Sequence, residues 1–358
     1  MRTDIAIIGA GIAGATLAAA IGERARVVLL EGEAQPGYHS TGRSAAFWSE
    51  TYGGPAIQPL TSASGPLLAP WLGPRGGLHL GRPAESALLD AMQAEFPAVR
   101  LERVDPQCII PGLRGDYPHG LAEPTCADID VAGLHAAALK AAKGAGAVLW
   151  CDAWVTGLMR NGSAWEIALA DGRTLVADTV VNAAGAWASA VAAMAGAQPI
   201  AIQPYRRTVV QLEVDPPAPP DLPLTMDVAG SFYFKPEAGG RLWLSPHDES
   251  ATDPCDAAPD ELDVALAIDR LERAVDWRIV KRERAWAGLR SFAPDRVPVY
   301  GWDGRAPGFF WYAGQGGFGI QTAPAAAMIG AALVLGEGLP EPVSGIDVAR
   351  YAPERFGR

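Results

Sequence analysis

Residues 4–31 read DIAIIGAGIAGATLAAAIGERARVVLLE, and this stretch decides the fold. An apolar run at 5–8 enters the turn Gly9-Ala10-Gly11-Ile12-Ala13-Gly14, followed by an alanine-rich helical segment and a second apolar run at 27–30. A G-x-G-x-x-G turn between strand and helix is the dinucleotide fingerprint. Gly9 permits the tight turn, Gly11 lets a pyrophosphate approach the backbone, and Gly14 lets helix and strand pack closely. Ile12 and Ala13 open the helix, whose free N–H groups and positive dipole end suit phosphates. Glu31 ends the second strand, where a carboxylate accepts ribose hydroxyls and repels a 2′-phosphate, so NADP fits poorly.

The fingerprint alone does not separate NAD from FAD. A second glycine turn, Gly314-Gln315-Gly316-Gly317-Phe318-Gly319, follows the strand expected at 308–313 and opens the helix expected at 320–335. No further strand ending in an acid follows, so a second nucleotide unit is not expected there. The turn is read instead as a helix N-terminus aimed at a flavin ring, where its dipole favours negative charge. With one nucleotide site, electrons come from an organic substrate and leave to oxygen, a quinone or a protein.

The 358 residues exceed one ordinary core and suggest two domains. A net charge of -11 argues against nucleic acid, which needs a basic face, and against docking on an anionic membrane. Neither the run at 5–21, broken by three glycines, nor that at 323–335 is suited to span a bilayer, and a cytoplasmic location is expected. Cys108, Cys126, Cys151 and Cys255 form no C-x-x-C pair or zinc spacing and are expected as reduced, partly buried thiols.

Residues 134–143 read as a helix ended by Gly144, and 147–151 as a strand. Segments 165–170 and 174–181 flank the Asp171-Gly172 turn as a hairpin. Alternation at 208–214, 231–234 and 241–244 predicts an antiparallel sheet with one solvated face. Helical spacing covers 260–277, with Leu262, Leu266, Leu271 and Val275 on its apolar stripe. The fold expected is α/β: a Rossmann-like FAD-binding domain plus an α+β substrate domain with an antiparallel sheet. The first is assembled from 1–75, 125–200 and 291–358, the second from 76–124 and 201–290.

Four segments together resemble the D-amino-acid oxidase superfamily of FAD-dependent oxidoreductases. They are the first fingerprint, Gly37-Tyr38-His39-Ser40-Thr41-Gly42-Arg43-Ser44-Ala45-Ala46, Val181-Asn182-Ala183-Ala184-Gly185-Ala186-Trp187, and the ending at 315–322. Within that superfamily, Ser231-Phe232-Tyr233 and Trp286-Ala287-Gly288-Leu289-Arg290-Ser291-Phe292 look most like the bacterial D-arginine dehydrogenase type. The resemblance implies hydride transfer from a substrate Cα–H to flavin, giving an imino acid that hydrolyses to a 2-oxo acid and ammonia. It implies FAD contacts at Gly42, Arg43, Ser44, Ala45, Ala46, Val155, Ala184, Gly185, Gly316, Gly317, Gly319, Ile320 and Gln321. It also implies that Arg207 and Arg290 hold a substrate carboxylate, that Tyr233 closes on it, and that Tyr52 lines the pocket. His39 is expected to be structural or to touch FAD, with the flavin held non-covalently.

Each of these readings has a plainer rival. Arg206 and Arg207 point to opposite faces of one strand, and Arg207 is the one expected in the site. Arg290 as a simple ion-pair partner, and Tyr233 as an ordinary sheet aromatic, are the alternatives. By alignment of motifs, Gly77 stands where the D-arginine type carries an acid, and Phe47 where it carries a histidine. Without that acid a buried guanidinium side chain lacks its partner. The substrate expected is therefore a neutral or apolar D-amino acid. A cyclic or N-methylated amino acid of the glycine and sarcosine oxidase kind, and a 2-hydroxy acid, are the enzymatic alternatives. A non-catalytic FAD subunit is a further one.

Overall fold

The computed structural model describes residues 1–357. The strand Arg2–Ile8 runs parallel to Val27–Leu30 on one side and to Thr174–Asn182 on the other. Ile5, Ile7 and Ile8 are all buried, because helices and loops cover both faces of a parallel sheet. The sheet continues outward through Val148–Trp150 at one end and through Ala164–Leu169 and Val155–Asn161 at the other. Phe309–Ala313 joins it parallel to Thr174–Asn182, bringing the last third of the chain beside the first turn. The helices Ile12–Ile21, Val131–Gly144 and Ala323–Leu335 lie over this sheet, the first packed against the other two.

A second, larger sheet runs in the order Gln315–Gly316, Arg278–Phe292, Gln203–Asp215, Arg241–Ser245, Tyr233–Glu237, Leu224–Asp227, Gly77–Gly81, His119–Glu123 and Glu102–Val104. Its pairs are antiparallel except one: Leu224–Asp227 lies parallel to Gly77–Gly81, which makes the sheet mixed. The long pair Gln203–Asp215 and Arg278–Phe292 forms its spine. Helix Glu261–Ala274 covers one face with Val264, Ala267, Leu271 and Ala274. The stripe is rotated from the one expected, for Leu262 and Leu266 are exposed and Val275 lies beyond the helix end. At about 100° per residue Leu262 and Leu271 stand on opposite sides of the helix, so the stripe through Val264, Ala267, Leu271 and Ala274 is the one that can face the sheet.

A three-stranded patch, Phe47–Trp48, Ala127–Ile129 and Leu72–Pro74, completes the architecture. No helix among the described residues is long and apolar enough to cross a membrane. Of the cysteines, Cys126 is buried and Cys151 partly so, whereas Cys108 and Cys255 are exposed, contrary to the expectation that all are shielded.

Candidate active site

The first glycine turn has the geometry its sequence implies. Gly9 holds φ +102°, and a side chain there would overlap the Ala183 carbonyl. A side chain on Gly14 would overlap the Gly9 carbonyl, so Gly14 serves helix–strand packing and stands outside the cleft lining. Glu31 accepts the Ala10 N–H at 3.0 Å through one oxygen and the Glu33 N–H at 3.1 Å through the other, fixing its carboxylate at the cleft wall. Thr41, a position the motif reading passed over, accepts the Ile12 N–H at 3.0 Å and clamps the helix start.

The segment 37–46 folds into the short turn Ser40–Arg43, which joins the start of helix Ile12–Ile21 to the strand Arg278–Phe292. Ser40 donates to the Leu289 carbonyl at 2.7 Å, while Arg43 reaches the Ala257 carbonyl at 2.8 Å and pairs with Asp256. The Arg43 guanidinium is thereby committed to the loop before helix Glu261–Ala274 and, through the Ala287 carbonyl at 3.2 Å, to the second sheet, although the residue also borders the cleft. Gly42 closes the turn, its N–H on the Gly37 carbonyl at 2.8 Å, and stands behind the lining. His39 lines the cleft, its Nε2 2.9 Å from Glu33 and its ring beside Trp187.

The cleft runs from Gly9, Gly11, Ile12 and Ala13 to the second sheet and encloses about 1410 Å³, part of it open to solvent. Ser44, Ala45, Ala46, Ala184, Gly185, Gly316, Gly317, Gly319, Ile320 and Gln321 all border it. Val155 does not: its side chain is buried in the core beneath the first sheet, since it opens a strand whose inward positions pack there. The helix expected from 320 begins only at Ala323, with Pro324 in its first turn. Residues 315–322 instead form a two-residue strand and a turn, in which Thr322 Oγ1 donates to the Phe318 carbonyl at 2.9 Å. Backbone glycines rather than a helix terminus therefore border the cleft at this end.

At the far end stand the side chains expected to meet a substrate. On the sheet spine Tyr205 faces Arg290 and Arg207 faces Gly288, so Arg207 and Arg290 are diagonal neighbours on one face. Arg206 points the other way and pairs with Asp263 of the covering helix at 2.8 Å. Arg290 donates to the Tyr52 hydroxyl at 2.9 Å and to Glu249 at 2.8 Å. Arg207 donates to the Asp248 carbonyl at 2.7 Å and lies 3.4 Å from Glu249. Burial, and then the neighbouring Arg290, pull the Arg207 guanidinium below its ordinary value, so the pair gains from any anion placed against it. Tyr233 is buried beside Phe47, with burial raising its hydroxyl, and Phe47 stacks edge-on against Tyr52.

Tyr52 owes its place to a second set of bonds. Gln321, buried, donates to the Tyr52 carbonyl at 3.0 Å and accepts the Ser49 N–H at 3.3 Å. Glu123, also buried, accepts from Thr51 Oγ1 at 2.6 Å, the Glu50 N–H at 2.7 Å and Ser49 Oγ at 2.9 Å. Burial pushes the Glu123 carboxyl up, but His79 and the hydroxyls hold it below the ordinary range. Gly77 lies outside the cleft, and a side chain there would meet Cys126 and Glu123. Phe47 does line the cleft.

Sequence reading missed the segment after Arg241–Ser245, which supplies His247, Asp248 and Glu249 behind the two arginines. The string Pro246-His247-Asp248-Glu249-Ser250 resembles any polar loop, and no spacing marks it. Burial first, and then Arg207 and Arg290, depress His247 to about 3, so its ring is neutral and Nδ1 donates to the Gly230 carbonyl at 2.8 Å.

The family model described as DAO, FAD dependent oxidoreductase, matches residues 4–333. The chain belongs to this family. A hydrogen cyanide synthase subunit, HcnC, of Pseudomonas aeruginosa is 28% identical over 240 residues, covering 66% of this chain and 56% of that protein. A glycine oxidase of Geobacillus kaustophilus is 25% identical over 365 residues, covering 93% of each chain. Among solved structures, that glycine oxidase superposes with a TM-score of 0.83 at 23% identity over 98% of both chains. The L-proline dehydrogenase of P. horikoshii does so with a TM-score of 0.85 at 23% identity, over 100% of this chain and 98% of that one. The protein is therefore an FAD-dependent oxidoreductase with the fold of these flavoenzymes.

The residues present fit FAD. The glycine cradle admits backbone contact with a pyrophosphate, and Glu31 is fixed where a ribose would lie. Arg290 Nε and Ser291 Oγ are buried without partners in residues that line the cleft.

Proposed function

We propose that the protein oxidises the amine of a small neutral α-amino acid. The substrate is a D-amino acid or, as the second reading, glycine or an N-alkyl or cyclic relative. The single observation that carries this reading is the juxtaposition of Arg207 and Arg290 with Tyr52, Tyr233 and Phe47 at one end of the cleft that begins at the nucleotide turn. One buried and one partly buried cation on the same sheet face suit a planar carboxylate, and the aromatic wall suits an uncharged side chain. Glycine is favoured as a second reading by the name of the full-length relative, and proline-like amines by that of the superposed dehydrogenase. The likeness to the D-arginine type is confined to reaction class here, because the wall around Phe47 is aromatic and Glu31, the acid that lines the cleft among the described residues, belongs to its nucleotide end.

Bound FAD, held non-covalently, supplies the acceptor for the hydride leaving the substrate carbon. The protein's own part is positional. Arg207 and Arg290 fix the carboxylate, which orients the Cα–H bond. Tyr52, anchored by Gln321 and the Glu123 network, holds the Arg290 guanidinium flat against the site. No side chain need move a proton if the amine enters uncharged, and the imine formed is hydrolysed by water to a 2-oxo acid and ammonia or a primary amine. The reading is tested by anaerobic bleaching of the flavin band with D- and L-amino acids, glycine, sarcosine, proline and matching 2-hydroxy acids. Bleaching by neutral amino acids but not by hydroxy acids is the expected result. Bleaching by hydroxy acids alone, or a clear preference for D-arginine over D-leucine and D-proline, would sink it.

A further inference from the structure

The two arginines of the clamp are already shared with an acid of the protein itself. Glu249 Oε1 lies 2.8 Å from Arg290 Nη1 and 3.4 Å from Arg207 Nη2. The same carboxylate receives Arg296 Nη2 at 2.8 and 3.0 Å from its two oxygens. Side-chain exposure rises from 7% at Arg207 and 11% at Arg290 to 34% at Glu249 and 47% at Arg296, so the acid stands on the outer side of the clamp. Burial raises the Glu249 carboxyl, but Arg290 and Arg296 outweigh it and keep the group ionised.

The donor count follows directly. Each clamp arginine gives one terminal nitrogen to Glu249. Arg290 gives the other to Tyr52, and Arg207 gives Nε to the Asp248 carbonyl. Arg207 bonds through Nε and Nη2, which leaves its Nη1 without a hydrogen bond among the described residues, and Arg290 Nε is buried without a partner. Two guanidiniums could receive two carboxylates; here one is supplied internally. The local charges agree: Arg207, Arg290 and Arg296 against Asp248 and Glu249 leave one positive charge. One substrate carboxylate neutralises it, and a second would meet both a shortage of donors and the Glu249 anion at short range.

We propose that Glu249 is a specificity-determining residue that restricts the site to substrates bearing a single carboxylate and excludes dicarboxylates. This rests on the reading of Arg207 and Arg290 as a carboxylate clamp. It adds that the clamp's capacity is set by a third residue that touches neither the apolar wall nor the nucleotide cradle.

The test uses the FAD-loaded protein and two unreactive acids of equal chain length, butanoate and succinate, titrated by calorimetry and by the shift of the flavin's visible spectrum. The wild type is expected to bind butanoate more tightly than succinate. In Glu249→Gln, which keeps the side-chain shape, the succinate-to-butanoate affinity ratio should rise by about tenfold or more. An unchanged ratio, including the case in which both acids gain equally, would overturn the proposal, since a simple plug or structural latch predicts that result. If neither acid binds the wild type, the clamp reading fails and the proposal falls with it, an outcome distinct from a clamp that binds both without discrimination. Glu249→Ala is read in the same way should the glutamine variant retain no flavin.

Discussion

Replacing Arg290 with lysine separates charge from geometry at the clamp. The substitution keeps one positive charge on the same strand, so long-range attraction of an anion is preserved. Arg290 presently serves two acceptors at once, Glu249 at 2.8 Å and Tyr52 at 2.9 Å, and lies over the Phe292 ring at 5.1 Å. A single ammonium on a flexible stem cannot reach both acceptors and also offer a planar edge to a ligand. The bond lost to a bound carboxylate is charge-assisted, worth about 1.5–3 kcal/mol. That corresponds to a dissociation constant raised about 10- to 150-fold. Rapid-mixing reduction of the flavin, followed as a function of substrate concentration, yields the dissociation constant and the limiting rate separately. The expected pattern is a raised constant and a lowered limiting rate, with flavin content unchanged. A lysine variant that binds substrate as tightly as the wild type would refute the clamp, because charge alone would then suffice.

Three further outcomes follow from other parts of the structure. Gly9→Ala places a methyl group on the Ala183 carbonyl at a backbone φ of +102°, so the ratio of flavin to protein absorbance after purification should fall sharply. Retention of full flavin would show that the turn does not cradle the cofactor. Glu123→Gln turns one acceptor oxygen into a donor among three donors and should cost about 1–3 kcal/mol of stability, with a rise in KM as Tyr52 loosens. Denaturant unfolding alongside turnover checks both parts. His247, depressed to about 3, sets an acid sensitivity of defined sign. Above about pH 6.5 neither state binds a proton at this ring, while below it the unfolded chain does and the folded one does not until about pH 3. Stability should therefore fall by about 2 kcal/mol between about pH 7.5 and 5 from this group, a loss that His247→Asn removes. Asparagine tolerates the positive φ of 58° at this position. Equal pH dependence of the melting temperature in both proteins would rule the attribution out.

The nucleotide half was legible because its constraints are local. A glycine that must avoid Ala183, a helix that must start beside it, and an acid one strand away all lie within residues 9–31, where spacing in the chain is spacing in the fold. Alternation separated Arg207 from Arg206 for the same reason, since a strand reverses faces at each residue. The strand at 308–313 and the hairpin about Asp171-Gly172 were visible too, as short runs of one period bounded by turn formers. By contrast, the apolar stripe of the helix Glu261–Ala274 was misjudged by a rotation. Leu262 and Leu266 share one side of the helix and Leu271 the other, and only packing against the sheet selects the side that carries Leu271. The helix near residue 320 was placed early because a glycine turn and a helix start share the same composition.

What the sequence by itself determined is therefore the glycine turn, the acid one strand away and the opposite faces on which Arg206 and Arg207 stand. Only the tertiary structure decided what those arginines touch. Tyr52 reaches Arg290 across 238 positions, and Glu249 reaches it across 41, through a loop with no periodicity to read. Gln321 and Glu123 support Tyr52 from two further segments of the chain. The physical reason is that hydrogen bonds and ion pairs depend on distances of about 3 Å between side-chain tips. Local patterning sets the face on which a side chain stands, but the meeting of those tips is set by how two sheets and their connecting turns pack together.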